Sequence, residues 1–171
     1  MYLSMKKSPN FDIGRNGYKP EAIVLHKTEG SFISAVGWFQ DAKTKVSAHY
    51  IIAPTGEIAP MVDENDTAWH AGVIVKPSWK LLKNGINPNL YTIGIELAGY
   101  AVDDTPADQA LALAELICDI HRRWKIPIDD QHIVFHREIR ANKTCPGQRL
   151  SKKLIIFYAN TILWHEKQNT A

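Results

Sequence analysis

Three short apolar runs, each carrying one chemically active side chain, constrain this chain more than any other feature of it. Ala22-Ile23-Val24-Leu25 leads into His26, Ile93-Gly94-Ile95-Glu96-Leu97 is broken by a carboxylate, and Ile133-Val134-Phe135 is flanked by His132 and His136. Runs this short, bounded by turn residues, read as buried strands. A strand end delivers a side chain into a cleft while the sheet holds it rigid. A chain built on such strands must bring distant segments together, and any chemistry it performs is expected where those segments meet.

The rest of the pattern fits around the strands. Phe32, Ala35, Val36 and Phe39 recur at helical spacing over residues 31–39. His49-Tyr50-Ile51-Ile52, the turn Pro54-Thr55-Gly56, and residues 57–62 predict a hairpin. Residues 72–91 hold Gly72, Pro77, Gly85 and Pro88 and predict a long loop, often functional on a compact domain. Thr105-Pro106-Ala107-Asp108 predicts a helix with Thr105 as N-cap and Pro106 at its first position. Leu113, Ile117, Ile120 and Trp124 share its apolar face, and Pro127 stops it. A last helix is expected from about Ser151, with Leu154, Ile155, Tyr158 and Ile162 facing inward. Strands and helices intersperse without strict βαβ alternation. The expected fold is therefore α/β, a single domain with a central mixed sheet of five to six strands flanked by helices.

The 171 residues suit one domain spanning 1–171, opening with an irregular lead-in over 1–20 and leaving no room for a separate cell-wall-binding domain. A formal net charge of +2 gives no argument for nucleic acid as a partner. No window approaches the roughly 18 apolar residues of a membrane span, so no membrane insertion is expected. Residues 1–20 lack the apolar stretch of a signal peptide, so synthesis in the cytoplasm is expected. Two cysteines, Cys118 and Cys145, do not make a disulfide framework. Cys118 reads as a small buried hydrophobe, and Cys145 sits in a Thr-Cys-Pro-Gly loop.

Two imidazoles at run ends, His26 and His136, with the thiol of Cys145, would suit Zn²⁺ with a fourth position left for water. Seven histidines permit many other triplets, and the spacing is not that of a zinc finger. From the residues alone the ligand set stays open. Taken alone, Glu96 reads as an edge-strand residue facing solvent, and Lys143 as a solvated loop lysine.

Six segments now carry a resemblance: IVLHKTEG (23–30), VSAHYIIAPTGEI (46–58), TAWHAG (67–72), YTIGIELAG (91–99), IVFHREI (133–139) and KTCPG (143–147). In this order they resemble the type 2 N-acetylmuramoyl-L-alanine amidases, a family that includes phage endolysins, autolysins, cytosolic anhydromuropeptide amidases and animal peptidoglycan recognition proteins. The resemblance implies one Zn²⁺ ion held by His26, His136 and Cys145. It implies cleavage of the amide between the lactyl group and L-alanine in bacterial peptidoglycan or muropeptides. Glu96 matches the catalytic Glu of the cytosolic members, and Lys143 the oxyanion-stabilising Lys. Other members use a Tyr where this chain has Ala48. Tyr50 does not match that motif, although strand alternation would put it on Ala48's face.

His70 and Trp69 are expected to bind substrate. His49 is a third candidate there, with support of its strand the competing role. His132 would share a face with Val134 and His136. Many members, notably the cytosolic ones, carry Asp where Cys145 stands. With the lysin-like opening KSPNFDIGRNGYKPEAIVLH, that points to a phage or prophage endolysin, released through a holin-type route and acting as a monomer. The alternatives are a cytosolic recycling amidase and a non-catalytic peptidoglycan-binding module.

Overall fold

The computed structural model describes residues 1–169. Its centre is a five-stranded sheet in the order β4-β3-β6-β2-β7. These strands are β2 (Ala22–Lys27), β3 (Tyr50–Ile52), β4 (Ile58–Pro60), β6 (Thr92–Leu97) and β7 (Ile133–Phe135). Pairs β3–β6, β6–β2 and β2–β7 are parallel, and only the β3–β4 hairpin is antiparallel. A separate two-stranded ribbon joins β1 (Phe11–Asp12) to β5 (Thr67–Ala68). The helices are α1 (Phe32–Gln40), α2 (Ala107–Trp124), the single turn α3 (His136–Ile139) and α4 (Lys152–Asn169). Among the described residues no helix is long and apolar enough to cross a membrane.

Side-chain alternation along the parallel strands sorts residues by parity. Ile23, Leu25, Ile93, Ile95, Leu97, Ile133 and Phe135 pack on one face against α2 and α4, joining Leu113, Leu116, Ile117, Ile120, Ile155 and Ala159. Ala22, Val24 and Val134 face the other way, against Trp79, Tyr91 and Ile139. His26 and Glu96 share the parity of Val24 and Gly94 and are direct neighbours in the β2–β6 register. The side chains at the carboxyl ends of the neighbouring strands β2 and β6 therefore share the face opposite α2. The carboxyl ends of parallel strands are where such sheets build their sites.

Several local expectations shift. Helix α2 is capped by Pro106, not Thr105, and no side chain bonds its first turn. Thr105 has its hydroxyl buried without a partner among the described residues. In α4 the buried residues are Ile155 and Ala159, whereas Leu154 and Tyr158 are exposed. Helix α4 lies on α2 through a stripe of Ile155 and Ala159 with the partly buried Ile156, Ile162 and Leu163, and Leu154 and Tyr158 fall on its other side. The loop over 72–91 closes with a short 3-10 turn at Pro88–Tyr91. The lead-in over 1–20 is less irregular than expected, since it holds β1 and bonds to β4 through the Leu3 and Lys6 amides, and within it Arg15 is buried and donates to the carbonyls of Glu64, Asn89, Leu90 and Thr92. Cys118 is fully buried, as expected of a small hydrophobe.

Candidate metal centre and cleft

Strand β2 ends by placing His26 in the cleft, with 2% of its surface exposed. His136 arrives by a different device from the one expected. Strand β7 stops at Phe135, and His136 is the first residue of α3. Cys145 comes from the following loop, whose backbone is tied down by Arg137. The Arg137 amide donates to the Cys145 carbonyl at 3.1 Å, and its guanidinium donates to the Gly147 carbonyl at 2.6 Å. Gly147 has φ +92°, and a Cβ there would sit 2.1 Å from the Ala101 carbonyl oxygen. Only glycine fits that turn.

The Nδ1 atoms of His26 and His136 face each other at 3.1 Å. His26, His136 and Cys145 each offer one potential ligand atom, and these atoms lie within 4.8 Å of one another. Ligands of a tetrahedral zinc site lie roughly 3.3–3.6 Å apart, given bonds of about 2.0–2.3 Å. Two facing imidazole nitrogens need a proton or a cation between them, since two lone pairs repel. The donor set thus suits a borderline-soft divalent ion. Burial, reinforced by His136, holds the pKa of His26 well below its ordinary value. Burial, then Lys143 and Arg140, lowers His136 to about 4. Both rings are consequently neutral at physiological pH, the form that ligates. Burial, then the Glu96 carboxyl, pushes the Cys145 thiol up to about 12. A cation among the three donors would reverse that preference, because a coordinating thiol loses its proton.

Glu96 stands beside His26 in register and is 9% exposed. Its Oε2 is buried without a hydrogen-bond partner among the described residues. Burial, reinforced by Glu29, pushes its pKa up to about 8. A carboxyl so placed can exchange a proton near neutral pH. The cleft around these groups holds ≈ 720 Å³, and Lys143, Trp69 and His70 also line it. Lys143 is exposed, and its charge reaches His136. Trp69 is oriented by its indole N–H, which donates to Asp12 at 2.8 Å.

Other residues lie elsewhere than expected. His49 is wholly buried, accepting at Nδ1 from the Gly94 amide at 2.9 Å and meeting Arg15 at Nε2. It holds β6 and the N-terminal stretch together and does not line the cleft. Tyr50 does not share Ala48's face. Residue 48 precedes β3, and the Tyr50 hydroxyl donates to Glu64 at 2.8 Å on the α2 side. His132 lies outside β7 and pairs with Asp129 at 2.7 Å. Sequence reasoning passed over Lys27, Asn89 and Arg140, which also line the cleft. Lys27 lies inside one recognisable segment and Arg140 directly follows another, but nothing in the pattern of Asn89 marks it. It acts through its side-chain oxygen, which accepts from the amides of His70 and Ala71.

Residues 16–148 match the sequence pattern of the type 2 amidase family, described as N-acetylmuramoyl-L-alanine amidase. The chain belongs to this family. It is 38% identical over 97 residues to N-acetylmuramoyl-L-alanine amidase A of Achromobacter lyticus, an alignment covering 56% of this chain and 46% of that protein. The chain spans about half the length, or less, of the sequence relatives it matches. Among solved structures, a selenomethionine derivative of AmpD matches with a TM-score of 0.71 and 26% identity, covering 91% of this chain and 95% of that one. The amidase AmiD of E. coli, solved with the substrate anhydro-N-acetylmuramic acid-L-Ala-D-γ-Glu-L-Lys, matches at 0.68 and 26% identity, covering 81% of this chain and 57% of that one. For this member of the type 2 amidases, the mixed sheet with helices on both sides is the fold of its structural neighbours.

Proposed function

We propose that this chain is a zinc-dependent N-acetylmuramoyl-L-alanine amidase that hydrolyses the lactyl–L-Ala amide of peptidoglycan or its fragments. The observation that carries the reading is one cleft holding two facing imidazoles, a thiol and an unpartnered buried carboxyl. His26, His136 and Cys145 would hold the ion. A zinc ion bound there supplies a Lewis acid for the scissile carbonyl and lowers the pKa of water toward 7. Glu96 takes the proton of the attacking water and returns it to the leaving amine of L-alanine. Lys143, at the cleft wall, stabilises negative charge developing on the carbonyl oxygen. Trp69, in the cleft lining, offers an aromatic face for the muramyl or peptide portion.

The Cys145 ligand and the lysin-like opening favour an endolysin acting on intact cell wall. The likeness to AmpD and AmiD supports the second reading, an amidase of soluble anhydromuropeptides. Digestion of purified sacculi and, in parallel, of soluble anhydromuropeptides separates them by mass analysis of the products. The amidase predicts peptides with a free L-Ala amino terminus and no new reducing sugar ends. New reducing ends would reject it in favour of a glycosidase. Preference for sacculi supports the lysin, and inertness on sacculi with turnover of soluble fragments supports recycling.

A further inference from the structure

We propose that His70 is a positioning residue, which fixes the tautomer of His26 through a hydrogen-bond chain anchored on the Pro88 carbonyl and Thr92. The inference rests on reading His26 as a metal ligand, and it gives His70 a task other than touching substrate.

Each link decides the next. The Pro88 carbonyl can only accept. The Thr92 hydroxyl has a single proton and donates it to that carbonyl at 2.8 Å. Toward His70 Nε2, 3.3 Å away, Thr92 Oγ1 can therefore only accept. His70 carries its proton on Nε2, and a neutral imidazole has one N–H. His70 Nδ1 is then bare and accepts from His26 Nε2 at 3.1 Å. With its proton on Nε2, His26 presents a bare Nδ1 to the Nδ1 of His136, the neighbour with which it and Cys145 form the group of potential ligands. Run in reverse, the chain fails at its first link. A proton on His70 Nδ1 would leave Nε2 facing a hydroxyl that has already spent its hydrogen. It would also drive the His26 proton onto Nδ1, blocking the metal side.

The ring of His70 is held where the relay needs it. A Cβ on Gly94 would lie 2.5 Å from His70 Cγ, so the ring lies directly against a glycine of β6. Its backbone N–H is held by Asn89, and it meets the His26 ring edge-on at a centroid distance of 5.2 Å. An imidazole ligand whose other nitrogen donates to a fixed acceptor is set in both orientation and tautomer.

The test combines zinc affinity, measured by competition with a chromophoric chelator, and long-range ¹H–¹⁵N imidazole spectra of the wild-type protein. In the zinc-loaded protein His26 is expected to show a slowly exchanging Nε2–H, and so is His70. His70→Phe is expected to weaken zinc binding about 10- to 100-fold, the usual effect of losing such a partner. His70→Asn, whose Oδ1 stands where Nδ1 accepts, should stay within a few-fold of wild type. Thr92→Val should weaken binding and Thr92→Ser restore it. A His26 proton on Nδ1, or wild-type affinity in His70→Phe, overturns the proposal. A wild-type chain that binds no zinc would instead sink the ligand reading, and the tautomers of the metal-free wild type would still decide the relay.

Discussion

Glu96→Gln is expected to keep zinc, measured by elemental analysis, and to lose about 10²- to 10⁴-fold in turnover, the range for a positioned proton-transfer group. The carboxyl has one buried oxygen without a partner, so it serves no structural bond that the amide would break. Near-wild-type turnover would remove Glu96 from the mechanism. Lys143→Met tests a different atom of the same reaction. A cation at the cleft wall acts on charge present only in the transition state, so kcat is expected to fall by about 10²–10³ while KM changes little. The side chain is exposed, so the fold is expected to survive both its loss and this readout.

At the scale of elements, α2 is tied to the hairpin region by one buried carboxylate. Glu64 accepts from Arg123 at 2.9 and 2.7 Å, from the Trp124 indole at 2.6 Å and from Tyr50 at 2.8 Å. Burial alone would raise its pKa, but the bonds from Arg123, Trp124 and Tyr50 outweigh burial and hold it below the ordinary 4.5. A carboxyl depressed in the folded state contributes stability that is complete above its unfolded pKa and is lost as pH falls through the folded value. Glu64→Gln should therefore lower unfolding stability near pH 7 by about 1–3 kcal/mol, since donors lose a charged acceptor. It should also flatten the loss of stability between about pH 4.5 and lower pH. Urea denaturation across that pH range checks both, and an acid limb as steep as wild type would contradict the assignment.

For the molecule as a whole, the metal is expected to act as a staple between segments far apart in the chain. His26 and His136 are 110 residues apart and Cys145 follows on another loop. An ion bound only by the folded state stabilises it by about 4 kcal/mol at a thousandfold excess over Kd. For a domain of this size that corresponds to a rise in Tm of about 8–16 °C. Scanning calorimetry with and without chelator checks the rise, and Cys145→Ser should abolish it. A zinc-independent Tm in the wild type would argue against the ligand set. The polar chain from Pro88 to His26 belongs to the same scale, because its members lie on a 3-10 turn, two strands and the Trp69–Ala71 segment.

The sequence by itself determined which segments become strands, because Ala22–Leu25, Ile93–Leu97 and Ile133–Phe135 are too short for buried helices, rich in Ile and Val, and bounded by turn residues. Together with the resemblance it also named His26, Glu96, His136, Lys143 and Cys145 of the cleft, and alternation alone puts His26 and Glu96 on one face once their strands are neighbours. Tertiary structure decided the rest. It turned His136 into a helix start, sent Tyr50 to the α2 side, withdrew His49 into the interior and rotated Leu154 and Tyr158 of α4 outward. It alone set His70 between Thr92 and His26. Local pattern reports what a residue needs to bury. Which partner satisfies it depends on contacts across tens of residues, and those exist only after the sheet has ordered its strands.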